Sequence, residues 1–303
     1  MAIYERSETY VHRIDIRNRL GVLVTPTAIK FSIYDPCDHW LLKSQSMSSD
    51  AIGKFYYNYL LSSAATYGRY KAVVTATLTG NISKFTSEFW ILPWDGVADV
   101  RQTMGLPEAK SVDDDTIANA LWNSYLYALK DVYINHAGEN CSCLYNPDTG
   151  QGFDGSNTYF QTPHYPIADI TGDGIISNSC PSDIYVSWKN SSGSWAYGTV
   201  TIQNADFGQI HIYQNSGLPI PSDNCGVRLY YWSEPERYNE YLFQQAAVRL
   251  ACYELSKRFN SLNEITLQDI RSNNALVIID PNLWMKEYKR YLGINRGLVI
   301  GGV

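Results

Sequence analysis

Charge is what this chain has least of. Asp, Glu, Lys and Arg make up only 18% of its 303 residues, and the net charge is −6. A general nucleic-acid-binding surface needs a basic patch, so none is expected. No run of about 18 apolar residues occurs, which leaves no candidate membrane-spanning helix and no expected membrane partner. The first residues, MAIYERSETYVHRIDIRN, are polar and charged, so no secretory signal is expected. Cysteines are few and scattered, at Cys37, Cys141, Cys143, Cys180, Cys225 and Cys252. A large chain with such spacing and no secretory signal is expected to keep its thiols reduced. Also missing are a nucleophile elbow, a phosphate loop, paired dinucleotide-binding glycines and an HExxH pair. The five histidines lie far apart. The sequence therefore offers no active site, and no enzyme is expected.

What the chain does have is apolar and aromatic material. Hydrophobic residues make up 45%, with 24 tyrosines, enough for a packed core in two or three domains. Residues 1–93 read as all β. RIDIRN, AIKFSIYD, KFYYNYLL, RYKAVVTATL and SKFTSEFWIL alternate apolar with polar residues or are rich in β-branched and aromatic types. Turn chemistry separates them at Asn18–Gly21, Asp35–Asp38, Ser48–Gly53, Ser62–Gly68 and Gly80–Ser83. Short strands at such spacing predict a small β-sandwich of immunoglobulin type, without the Cys–Trp–Cys framework.

Two helical stretches stand out in the remainder. SEPERYNEYLFQQAAVRLACYELSKRFN, Ser233–Asn260, has Ser233 and Glu236 placed as a capping box and Pro235 in the first turn. Leu242, Phe243, Ala246, Ala247, Leu250 and Tyr253 recur at spacings of three and four, and the alanines leave room for a second helix. Ser111–Asp114 reads as another capping box, followed by Ile117, Leu121, Tyr125, Ala128 and Val132 at helical spacing. The expectation is that Leu121 and Leu250 face each other across this helix pair. Residues 136–165 read as loop, and Ile167–Trp232 as β again, through DIYVSWKN, SWAYGTVTIQN, GQIHIYQN and GVRLYYW. Pro281 marks a sharp start for a last helix that Gly293 stops. The fold class expected is thus α+β: an N-terminal β-sandwich over 1–93, then a helical bundle over 94–303 that carries a β-rich insertion at about 165–232.

Three sets of side chains could carry chemistry. Asp169, Thr171 and Asp173, with Gly174 next, match the opening of a calcium loop, with oxygens at positions one, three and five. The twelfth position holds Cys180 instead of a bidentate carboxylate, and Asp183 comes three residues late, so a Gly/Asp turn explains the same residues. Apart from calcium, no cofactor is implied. His136, Cys141, Cys143 and His164 can be drawn as a zinc set, although Cys-x-Cys is not the usual two-residue spacing. Trp40, Trp90 and Trp94 are candidates for a sugar platform, with core packing as the plainer use.

DVRQTMGLP, then the capped helix opening with DDDTI, then ALWNSYLYALKDVYIN, resembles the start of head–tail adaptor (connector) proteins of tailed viruses. HYPIADITGDGIISNSCPSDIYVSW, with GQIHIY and GVRLYYW before a long Ala-rich helix, continues the resemblance over residues 97–303. FYYNYLL followed by GRYKAVVTA is similar to immunoglobulin-like modules attached to phage structural proteins. The resemblance implies a virion protein of the neck, assembled in the host cytoplasm. It implies a ring of twelve subunits, with the portal protein and a tail or head-completion protein as partners. DNA would pass through the channel without specific binding. Asp113, Asp114 and Asp115 are then candidates for an acidic channel wall, with helix-end charge as the plainer alternative. Leu298, Val299, Ile300 and Val303, in the apolar tail GLVIGGV, become candidates for strand addition to the portal or to a neighbouring subunit. Two rival readings stand beside it: a virion receptor- or carbohydrate-binding module, as in a baseplate or decoration protein, and a calcium-assisted hydrolase at Asp169 and Asp173.

Overall fold

The computed structural model describes residues 2–106, 112–140, 144–178, 182–190, 192–221, 226–235, 239–261 and 281–293. Among the described residues, strand (39%) outweighs helix (23%). The chain divides into two compact units, Met1–Trp122 and Asn123–Val303.

The first unit is built on two sheets. One has five strands in the order β1 (Ala2–Tyr4), β8 (Asn81–Ile91), β7 (Gly68–Leu78), β3 (Ala28–Tyr34) and β4 (Trp40–Ser46). The other has three: β2 (Thr9–Asp15), β6 (Lys54–Leu60) and β5 (Ser48–Ala51). Only β1 runs parallel to its neighbour, β8. The alternation in RYKAVVTATL becomes alternating burial along β7, with Tyr70, Ala72, Val74 and Ala76 inward. The turn that follows has both central residues, Thr79 and Gly80, at positive φ (44° and 84°), a backbone twist that suits a two-residue hairpin between Leu78 and Asn81. The two sheets share one core, in which Tyr10 of β2 stacks on Phe89 of β8 at 4.1 Å and Phe31 of β3 on Tyr57 of β6 at 4.9 Å. Burial pushes the Tyr10 phenol up to about 12.

Helix α1 (Gly96–Met104) follows, closed by Gly105 in the left-handed conformation. It starts tight against the next helix, α2 (Asp114–Val132): a Cβ on Gly96 would lie 2.4 Å from Leu121 Cδ2 and 2.7 Å from Trp94 Nε1. Any side chain there would force Leu121 or Trp94 to shift.

The second unit is organised by a six-stranded antiparallel sheet. Its order is β10 (Tyr159–Gln161), β13 (Gln209–Gln214), β12 (Trp195–Asn204), β11 (Tyr185–Lys189), β14 (Arg228–Ser233) and β9 (Ile134–Asn140). One face buries Phe160, Val186, Trp188, Val200, Ile210, Ile212, Leu229 and Tyr231. A separate, smaller cluster joins the C-terminal half of α2 to α3 (Glu240–Ser261) and α4 (Pro281–Tyr291) through Ala128, Leu129, Ile170, Phe243, Ala246, Leu250 and Tyr288.

The helical bundle expected over residues 94–303 is therefore corrected. The described residues contain four helices, and the unit that holds most of them is dominated by the sheet and its own core. Two local misreadings produced the expectation. Residues 136–165, read as loop, contain most of β9 and all of β10, which complete both edges of the sheet. The main helix starts at Glu240, not at Ser233: Ser233 is the last residue of β14, and Asn239 caps α3 by accepting the Leu242 N–H at 3.0 Å. The small residues of α3 admit a helix, but its close helical neighbour is α4. Leu250 packs with Ala128 and Leu129, further along α2 than Leu121, which lies against Gly96.

Candidate metal centre

In a regular strand, residues three apart point to opposite faces. Strand β9 breaks that rule. Its register to β14 pairs His136 with Tyr231 and Glu139 with Leu229, so Ala137 and Gly138 together face the single residue Tyr230. This is a β-bulge, and Gly138 supplies the left-handed residue it needs, at φ 72°. The extra residue returns Glu139 to the face that His136 occupies.

On that face the side chains interlock. The His136 ring stacks on Tyr231 at 4.7 Å, and the His164 ring on His136 at 4.2 Å with only 10° between their planes. Tyr231, buried at the base, donates its hydroxyl to Glu139 Oε2 at 2.9 Å and accepts the His164 backbone N–H at 3.3 Å. The other Glu139 oxygen lies 3.4 Å from His164 Nε2. His136 Nε2 lies 2.8 Å from Ser233 Oγ. Burial and the nearby His164 hold the His136 imidazole below its ordinary pKa, against a smaller upward pull from Glu139. One ligand atom each from His136, Glu139 and His164 lie within 4.8 Å of one another. Two imidazoles and a carboxylate are the donor types of a zinc-class ion.

The sequence singled out His136 and His164 but not Glu139 or Tyr231, and it offered Ser233 only as a helix cap. Cys141 and Cys143 lie outside the described residues. The available signal was Gly138 inside His136-Ala-Gly-Glu139, since a lone glycine in a strand marks a bulge. A second convergence among the described residues, Asp35, Cys37 and His39, is a local turn. Asp35 Oδ1 accepts the backbone N–H groups of Cys37 and His39 at 2.9 and 2.8 Å, which accounts for the proximity.

The sequence-derived calcium residues hold a loop together. Asp169 accepts the Thr171 hydroxyl and the Gly172 and Gly174 N–H groups, at 2.9, 2.6 and 2.6 Å. Asp173 accepts the Ile175 N–H at 2.8 Å. The late carboxylate, Asp183, is buried and closes the loop by accepting the N–H groups of Thr171 and Ser177 at 3.0 and 2.9 Å. Burial, with Asp169 nearby, pushes Asp183 up to about 7.

The three consecutive acids all work at the start of α2. Asp113 accepts the Thr116 N–H at 2.7 Å, a cap that lowers its pKa. Asp114 pairs with Arg101, and Asp115 accepts the Trp90 indole N–H at 2.8 Å. Trp90 is buried, Trp94 half-buried and Trp40 exposed, its ring centre 4.2 Å from that of Tyr34 and tilted 36° to it. Leu298, Val299, Ile300 and Val303 lie outside the described residues.

A feature that the sequence reading missed is the outward face of the second sheet. Tyr197, Tyr185 and Tyr230 stand side by side on β12, β11 and β14, with Tyr185 and Tyr230 stacked at 4.4 Å and 7°. Trp195 sits between Arg228 and Lys189, whose cationic groups are 4.8 and 5.5 Å from its ring. Tyr197 is 65% exposed, Trp195 44% and Tyr185 42%. No helix among the described residues is long and apolar enough to cross a membrane. No protein-family model matches the chain, and no curated protein matches it.

Proposed function

We propose that the chain is a structural virion protein, a head–tail adaptor subunit that docks on its own copies and on the portal. The observation that carries this reading is the outward aromatic face of Tyr185, Tyr197, Tyr230 and Trp195, flanked by Arg228. Tyrosine, tryptophan and arginine are the residues enriched in the desolvated centres of protein interfaces. Further support is the chain order: α1, a break, acid-capped α2, a sheet, then α3 and α4. That is the order on which the resemblance to adaptors rests, with the sheet larger and the helices fewer than it implied. In this reading the subunits form a ring, of twelve by the resemblance, and the channel passes DNA without gripping it.

The test is the mass of the purified chain by multi-angle light scattering, alone and mixed with purified portal protein. A closed oligomer, or a stable complex with portal, is expected. Tyr185→Ser with Tyr197→Ser should weaken the association while leaving the fold intact. A chain that stays monomeric and never binds portal overturns the proposal. The same aromatic face is also what a sugar-binding platform presents, and glycan-array binding lost with Tyr197→Ser would favour that second reading.

A further inference from the structure

We propose that His136, Glu139 and His164 bind one zinc-class divalent transition-metal ion. The three side chains come from two separate segments, β9 and the stretch after β10, and no local turn accounts for their meeting. The bulge at Gly138 brings two of them to one face, and the Tyr231 hydroxyl ties both Glu139 and the backbone of residue 164 to the same point. Outer contacts of this kind orient metal ligands. A ligating imidazole hands its other N–H to an acceptor, and a ligating carboxylate is itself hydrogen-bonded. Ser233 Oγ is placed to accept the His136 Nε2–H, which leaves the Nδ1 lone pair for the ion. Tyr231 does the same service for Glu139 through Oε2, and Oε1 is the oxygen nearest His164.

Tetrahedral zinc at about 2.0–2.2 Å from each ligand wants its ligand atoms about 3.3 Å apart. The present spread is up to 4.8 Å, so the set must close by a rotation of one side chain. His164 is the one free to rotate, being half exposed on a segment without regular structure. The fourth position is left to water.

The experiment is zinc titration of the full chain by isothermal calorimetry, after dialysis against chelator, with bound metal counted by elemental analysis. One equivalent is expected. His164→Ala and Glu139→Gln should each abolish or greatly weaken binding. Tyr231→Phe, which removes only a positioning hydroxyl, should weaken it about 10–100-fold. His164 is exposed enough that His164→Ala should leave the far-ultraviolet dichroism and the metal-free melting temperature unchanged, which separates lost ligation from lost folding. Cys141→Ser with Cys143→Ser should still bind one equivalent. No binding by the full chain, full binding by His164→Ala, or loss of binding in the double cysteine variant overturns the proposal.

Discussion

The loop that Asp169 organises leans on α2 through a glycine, and that contact can be measured. Gly172 lies at φ 68°, and a Cβ there would fall 2.6 Å from Tyr125 Cε1 and 2.9 Å from both Leu126 Cδ2 and Leu129 Cδ1. Gly172→Ala therefore has two costs. The left-handed backbone costs an L-residue about 1–2 kcal/mol. The clash adds an overpacking cost of about 1–3 kcal/mol. The leucine ends can move, but the tyrosine ring is held edge-on against Phe243 at 5.4 Å, so the clash is not relieved without loss elsewhere. The sum, about 2–5 kcal/mol, is a large part of a domain's typical stability of about 5–15 kcal/mol. A control isolates the packing share. Gly217 has a similar φ, 80°, with nothing within 4 Å of its would-be Cβ, so Gly217→Ala carries the backbone cost alone. Urea denaturation of the two variants should differ by at least about 1 kcal/mol. Equal destabilisation would refute the claim that Gly172 is there to let the loop reach α2.

Other outcomes follow from the geometry. Asp113→Ala removes the cap of α2 and should cost about 0.5–2 kcal/mol in thermal or chemical denaturation, whereas Asp113→Asn or Ser should recover most of it. His12, whose ring lies over Phe31 and whose Nδ1 meets the Tyr10 hydroxyl at 2.8 Å, is held below its ordinary value of 6.5 by burial. The fold prefers the neutral ring, so this contribution is present above the unfolded pKa and is lost as pH falls below it. Between about pH 8 and about pH 5 the first unit should lose stability, and His12→Gln should flatten that loss; parallel curves for variant and wild type would contradict it.

Where side-chain period and burial coincide, the sequence is readable. Strand β7 alternates in both, and Pro281 opens a helix that buries Trp284 and Tyr288. Strands β4 and β5 were not legible because nearly every residue in them is exposed, so no apolar alternation marks them. Strand β9 was hidden for a different reason: its bulge interrupts the period, and its residues, INHAGEN, are mostly polar. Missing β9 turned one edge of the sheet into loop and made the flanking helices look like a bundle. The polar, helix-tolerant run before Glu240 then lengthened the main helix on paper, while Ser233 sits buried at the end of a strand. The same blindness hid the candidate metal centre. His136 and His164 were visible as types, but Glu139 shares their face only through the bulge, and Tyr231 meets them only through pairing between distant strands.

The bulge makes the site depend on counting as much as on identity. Pairing β9 without its bulge, every residue kept, would preserve all of the interacting side chains in the chain, yet it would restore the regular two-residue period of β9. Either His136 or Glu139 would then point through the sheet to the aromatic side, and the residues beyond it would exchange faces with it. A single backbone unit without any chemistry of its own thus decides on which side of the sheet the carboxylate appears. Comparing such chains by their histidines and acids alone would miss the difference; the parity of the spacing between them is the character to read.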